Sequence, residues 1–558
     1  MILRLSSRLR TRLLSSGADG GFAMIMVLGT TLVLSLLVVV ATTSALGSVR
    51  VARADQDFQS ALGAAEAGVD DYLSHLTLDA TYYAKGNTDA SNPALGATAF
   101  TALSGSTTGA GFHYRLLSSP ADVTTSGQLV LESTGRSKSV TRTVRVTLQK
   151  KSFLDYLYFT TYETLDPLNT TDPTANAACG TFAWAGRAAT CTPVVWTSAD
   201  LLRGPVYSLD TMQMNGTPTF QKQVETGWDD PAKKYWQAYN GSAAPVFSGG
   251  APTRSQQEMP STNAGLRDQA VLGNGCLYSG PTKIVFNSTG TMTVTSPFTT
   301  SSTYDCGTFS APSYTSTVNV PDNGVVYVDP VTADCTTTAS TSRFAAVGYP
   351  IANDTTMSGV AAPLGYACTN GDAFVEGDVQ GRVTLGTANN VVITRDLKYV
   401  GGTTGTNVLG ISAGNFVELY RPMTCGIRDS TSKQCLAGTD VTVSGRYPWT
   451  NPVVQAAVVA TSHSFFVQNW KLSGTGTGST AARNLGTLTL TGAIAQRFRG
   501  PVSHSNTNSG DSNNHCFGVC GYGKDYYYDA RLKYAPPPYL ADLTASAWGV
   551  RSFGEGPS

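Results

Sequence analysis

The 558-residue chain reads as an α+β protein, with a long N-terminal helix and a small antiparallel sheet followed by a large all-β domain. Three observations predict this. An uncharged apolar stretch runs from Phe22 to Gly47 directly behind a basic leader. Helical periodicity then continues to about Leu78 before giving way to a two-residue alternation. The remainder is poor in charge (14% of the chain) and rich in Ser, Thr and Gly, with 57 glycines in all, as in extracellular β proteins.

At 1.5 Å per residue, Phe22 to Gly47 is long enough to cross a hydrocarbon layer of about 30 Å. Arg4, Arg8, Arg10 and Arg12 form the cationic flank that stays cytoplasmic, which places the C-terminal part outside. Three processing schemes are compatible with this segment. A secretory signal is cut behind the apolar run, for which Thr43-Ser44-Ala45 is a passable site, although signal h-regions are shorter. A plain anchor is not cut. A prepilin is cut between Gly21 and Phe22 and keeps the helix.

Behind the apolar run, Phe58, Leu62, Ala65, Val69, Tyr72 and Leu76 recur at steps of three and four, with Asp55, Gln59, Glu66 and Asp70 largely off that face. No proline occurs between Phe22 and Leu78, so the spacing predicts one helix, half in lipid and half against a folded head. The GFAMIMVLG junction, the apolar helix and LGAAEAGVDDYL at 62–73 together resemble the N-terminal region of PilX-type pilus assembly proteins, a minor-pilin family. That resemblance covers about the first 80 residues and implies cleavage by a prepilin peptidase after Gly21, methylation of Phe22, and other pilins or minor pilins as partners. One departure stands out. Ordinary major pilins of this kind carry a glutamate as fifth mature residue, where this chain has Met26. A carboxylate in lipid is costly unless paired, and by family analogy it meets the N-terminal amine of a preceding subunit. Met26 cannot make that pair, which suits a first or tip position. Met26, Phe58, Leu62, Glu66 and Val69 are the candidate assembly residues of the helix.

Alternation at 111–117, 128–134 and 140–148 predicts the small sheet. The domain boundaries follow: a leader at 1–21, the helix at 22–80, a pilin-like β unit at 81–150, a connector at 151–170, the large β domain at 171–545 and a disordered tail at 546–558. Short strands with Gly and Asn corners in the large domain favour a β-solenoid, with a β-sandwich as the alternative, and no amphipathic helix is evident there. The segments NNVVITRDL, VLGISAGNFVEL and LTLTGAIAQRFRGPV also resemble the C-terminal region of large PilX-associated envelope proteins.

All ten cysteines follow residue 170, and an even number in an exported chain points to disulfides. Pairing neighbours closes the shortest loops: Cys179 with Cys191, Cys276 with Cys306, Cys335 with Cys368, Cys425 with Cys435, and Cys516 with Cys520. Ser412 sits in a G-x-S-x-G match at 410–414, yet no helix pattern follows it, as a nucleophile elbow requires. GTGTGST at 474–480 lacks the phosphate-loop lysine. His504, His515, Cys516 and Cys520 could ligate a metal, but an oxidising compartment favours the disulfide; Asp511 to Asn514 lack the calcium-loop glutamate. His75, His113 and His463 are isolated in sequence. Tyr522, Tyr526, Tyr527, Tyr528, Tyr534 and Tyr539, with Trp548, form either a stacking surface for glycans or a seal on the β domain, and Pro536 to Pro538 an extended exit from it.

Equal numbers of acidic and basic residues, 38 each, leave no electrostatic lever for nucleic acid. The sequence therefore points to a non-enzymatic, single-pass minor pilin, without metal or cofactor, whose C-terminal domain lies outside the cytoplasm and serves assembly, priming or adhesion. A membrane-anchored polysaccharide-active or glycan-binding β-helix is the alternative.

Overall fold

The computed structural model describes residues 22–556 apart from 80, 97, 107–108, 151, 171–175, 228–234, 256, 273, 301–304, 475–482, 507–517, 534 and 541–547. The α+β class is found: a long apolar helix, a small antiparallel sheet and a large β-rich domain.

Helix α1 runs unbroken over Phe22–Leu78. From Met24 to Val40 its large apolar side chains are 55–68% exposed, so nothing among the described residues covers them. The hydroxyls in this half are spent within the helix: Thr30 and Thr31 donate to Met26 O and Val27 O, Thr42 and Thr43 to Val38 O and Val39 O. That back-bonding is what a polar side chain needs where no water is available.

The outer half of α1 is the core of a small module. Strands β1 (Gly111–Leu116), β2 (Gln128–Ser137) and β3 (Val140–Lys150) pair antiparallel in that order. Ala61, Ala64, Ala65, Val69, Tyr72 and Leu76 are buried against Tyr114, Leu129, Leu131, Val144 and Val146. The buried stripe thus runs closer to the alanines than the spacing suggested, and Leu62 and Phe58 are only half-buried. The cause is the closeness of helix to sheet. A Cβ on Gly135 would lie 2.2 Å from Ala61 O, and one on Gly68 2.3 Å from Ser133 Oγ, so small residues meet on both sides. Ser133 Oγ donates to Ala65 O at 2.7 Å across this contact.

In the large domain, residues 158–165, expected within a connector, form a fully integrated strand, β4 (Tyr158–Leu165). β5 (Leu201–Arg203), β6 (Val206–Ser208), β7 (Val224–Thr226) and β8 (Thr253–Arg254) follow; β4, β6, β7 and β8 pair in parallel. Helix α2 (Ala264–Leu272) then leads to β9 (Cys276–Ser279), β10 (Val325–Asp329), β11 (Arg382–Thr387), β12 (Val408–Ala413), β13 (Val453–Ala460) and β14 (Arg483–Arg499), again parallel in sequence order. The far half of β14 pairs in parallel with β4, and its near half with β15 (Gly518–Tyr528), which pairs in turn with β5. The first strands of the domain are therefore neighbours of its last, and the two series of strands grow away from this junction in opposite directions. A second parallel ladder, Thr282–Asn287, Ala373–Val379, Val391–Tyr399, Val417–Leu419 and Phe465–Val467, runs alongside. Local antiparallel hairpins, such as 282–287 with 291–295, decorate it.

Two straps hold the ladder from outside. Residues 257–270 carry the chain along it: Gln257 N bonds Tyr207 Oη, Asn263 Nδ2 donates to Thr387 O and Ser412 O, and Leu266 packs with Val325 and Tyr327. This strap includes α2, a helix that sequence periodicity did not reveal, as was Thr338–Ala346. Pro536 to Pro538 form the second strap and are not an exit. Arg382 donates to Pro536 O and Thr384 to Pro538 O.

The chain end corrects a further expectation. Within the supposed disordered tail, β16 (Trp548–Glu555) pairs antiparallel with β3 and buries Trp548 in the module core. The module is thus residues 22–150 plus β16, and the large domain is an insertion between two neighbouring strands of its sheet.

Candidate functional site

The surface without a counterpart inside the protein is the exposed half of α1. Met26 is 58% exposed there, and with Gly29, Thr30, Val33, Leu34 and Leu37 it lines a shallow, almost wholly apolar groove. Because the Thr30 hydroxyl is turned back to Met26 O, its methyl belongs to that surface. Gly29 has no atom within 4 Å of an added Cβ, which leaves room for another helix to approach. Gly21 lies outside the described residues, and Phe22 opens α1.

Further out, α1 presents charge. Glu66 is exposed, Asp57 pairs with Lys138 at 2.8 Å, and the Arg142 guanidinium lies 3.8 Å over the Phe58 ring. Below them Tyr114 donates to Asp71 at 2.5 Å and accepts from Asn92 at 2.7 Å. Burial holds the phenols of Tyr72 and Tyr114 far above their ordinary range, so both remain neutral. Of the predicted helix residues, Val69 is buried in the module core, Leu62 and Phe58 sit at its rim, and Met26 and Glu66 face outward. The rim contacts of Phe58 depend on Arg142, a partner from β3 that helix periodicity cannot reveal.

Elsewhere the candidate chemistry resolves into structure. Ser412 is fully buried within β12, and the next element is the strand Val417–Leu419, so the turn that a nucleophile elbow needs does not form. His463, isolated in sequence, meets Asp166 at 3.0 Å and stacks on Phe416 at 4.4 Å, an arrangement that joins residues 297 positions apart. His75 reaches Asp71 at 3.8 Å and stacks on Tyr82; His113 packs edge-on against Phe100. Four disulfides join Cys179 to Cys191, Cys276 to Cys306, Cys335 to Cys368 and Cys425 to Cys435. Cys520 is disulfide-bonded as well, and its expected partner Cys516 lies outside the described residues, together with His515, Asp511 to Asn514 and Thr475 to Thr480. His504 packs edge-on against Trp470.

Buried carboxylates brace the ladder. Asp372 accepts from Asn390 N at 3.0 Å and Asn389 Nδ2 at 2.6 Å, and burial pushes its carboxyl up to about 7. Glu418, fully buried, accepts from Tyr366 Oη at 3.1 Å and is raised well above the usual range by burial. At the junction of β4 with β14, Arg499 donates to Glu163 at 3.2 Å and Val194 O at 2.5 Å, with its guanidinium 3.7 Å over the Trp196 ring. The tyrosines divide: Tyr522 and Tyr526 are buried, Tyr539 is half-buried and packs beside α2, Tyr527 is 38% exposed, and Tyr534 lies outside the described residues.

The module is thus an apolar helix left bare at one end and serving as core at the other, under a small antiparallel sheet. Residues 20–70, the start of the chain and most of α1, match the family described as PilX N-terminal. Among solved structures, the competence-associated pilin ComZ of Thermus thermophilus matches at 13% identity and a TM-score of 0.24, over 90% of this chain and 98% of that one. That score is too low to compare the two folds. A search of curated proteins returned no match.

Proposed function

We propose that the chain is a low-copy minor pilin that displays its inserted domain at the tip of a type IV filament and takes part in priming or adhesion. The observation that carries this reading is the insertion itself. A domain of several hundred residues grows from the edge of the head sheet, between β3 and β16, while the helix that would pack among other helices stays bare. Repeated along a close-packed filament such a domain would clash with its copies. Met26 adds to this, because it removes the carboxylate that would pair with a preceding subunit. The parallel pairing of successive turns favours a β-solenoid for the displayed domain over a sandwich built of hairpins.

On this reading a prepilin peptidase cuts after Gly21, the mature chain begins at Phe22, and the domain lies outside the cell. N-terminal sequencing of the mature protein tests the first step, and a start near Leu46 would contradict it. Deletion of the gene is expected to reduce filament number or adhesion without altering filament diameter. Immunogold labelling along the whole filament, as dense as that of the major subunit, would exclude the tip position.

A further inference from the structure

We propose that the outer face of the inserted domain carries a binding groove for a neutral saccharide chain, centred on Tyr527. The groove, about 480 Å³, is lined by Thr403, Thr489, Thr491, Tyr527 and Arg531 among others, within the size range of small-ligand sites. Its floor is set by register. Thr491 lies beside Tyr527 and Thr489 beside Asp525 across β14 and β15, and Tyr527 lies beside Arg203 on β5. Alternate residues of a strand face the same way, so Thr489 and Thr491 share one surface with Asp525 and Tyr527.

The ring is held in place from one side. Arg203 stacks at 4.6 Å from the Tyr527 centroid and forms an ion pair with Asp525, and Tyr527 Oη donates to Asp525 at 3.1 Å. Both its hydroxyl and one flank are therefore committed to the protein, while the flank toward Thr491 borders the groove. On the opposite wall Arg531 is tied to Asp529 at 2.6 Å and to Gly405 O and Asn407 O at 2.6 and 3.0 Å, which fixes the loop that carries Thr403. The hydroxyls of Thr403, Thr489 and Thr491 have no hydrogen-bond partner among the described residues.

This combination selects the occupant. Each cation is matched by a carboxylate, Arg203 by Asp525 and Arg531 by Asp529, so the groove has no surplus charge for phosphates or for an acidic chain. A fixed aromatic face flanked by a row of hydroxyls matches the C–H face and the hydroxyl rim of a pyranose, and the open ends of the groove suit a chain of them.

The test uses the full-length protein in a zwitterionic detergent without a sugar headgroup, titrated calorimetrically with cellohexaose, maltohexaose and hexa-N-acetylchitohexaose. An oligogalacturonide and a thymidylate single strand serve as charged probes. At least one neutral hexasaccharide is expected to bind. Tyr527→Ala should weaken it about tenfold or more, by analogy with the loss of other stacked rings. Tyr527→Phe should stay within about threefold of wild type, since the hydroxyl faces Asp525, and Thr491→Val should weaken binding severalfold. If Tyr527→Ala does not fold, the Thr491→Val result decides. No binding of any neutral probe up to about 10 mM, binding indifferent to the variants, or binding of charged probes alone would overturn the proposal. None of these measurements depends on the filament role.

Discussion

The module and the domain inserted in it solve the same problem at different range. In the module β1, β2 and β3 are neighbours in sequence and pair antiparallel, so most of the sheet can form from a short stretch of chain. In the domain the strands pair in parallel, and the junction of β4 with β14 joins segments more than three hundred residues apart. Such long-range pairing is slow to form because loop closure precedes any gain from contacts. Yet both units are closed by late chain, the domain by β14 and β15 and the module by β16. Insertion makes the local unit wait for the non-local one.

The comparison breaks most easily at the junction. Arg499→Ala leaves Glu163 buried without its partner and is expected to cost about 3–5 kcal/mol in domain stability. Urea unfolding followed by the summed tryptophan fluorescence, to which Trp196 and the other tryptophans of the domain contribute most, measures it, and an unchanged midpoint would show that the two series of strands do not rely on this pair. Next in size, Trp548→Ala empties a core site of the module and is expected to cost about 3 kcal/mol. Its loss should lower the module transition and leave that of the domain in place; coincident shifts would mean that the two units unfold as one.

Asp372 gives a smaller effect with a defined sign. Its carboxyl is raised to about 7 in the folded state, so the native protein holds the proton more tightly than the unfolded chain. Its contribution is fully present below about pH 4 and declines as pH rises to about 7. Asp372→Asn should remove that decline, raising stability at pH 8 by up to about 3 kcal/mol and changing little at pH 4. A variant that loses stability equally at both values would contradict the assignment. Smallest of all, Glu66→Ala on the exposed face of α1 should shift thermal stability by less than about 0.5 kcal/mol, and a larger loss in purified monomer would mean that Glu66 supports the head itself.

The helix was legible because its two signals, apolar length and a 3.6-residue period, are local. The small sheet was legible from alternation, and neighbouring cysteines from the low cost of short loops. What escaped shares one cause. Residues 153–163 read as a strand-like aromatic connector, and what the sequence hides is its place within the ladder, because the partners Ile494 to Arg499 lie at the far end of the chain. Gly549 and Gly554, with the charged Arg551 and Glu555, made β16 look like a tail; only the open edge of β3 makes a strand of it. Pro536 to Pro538 look like an exit until Arg382 and Thr384 supply donors to their carbonyls. The Tyr527 groove was visible only as a run of tyrosines, because register alone tells which of them face out.

The return of β16 to β3 has a mechanical meaning. Trp548 lies opposite Lys150, so the two covalent leads to the domain leave the sheet from the same end of adjacent strands. Tension applied to the domain is divided between two tethers, each pulling lengthwise on a strand bonded to its neighbour. A protease that nicks any single loop of the domain leaves both fragments attached to the anchored head.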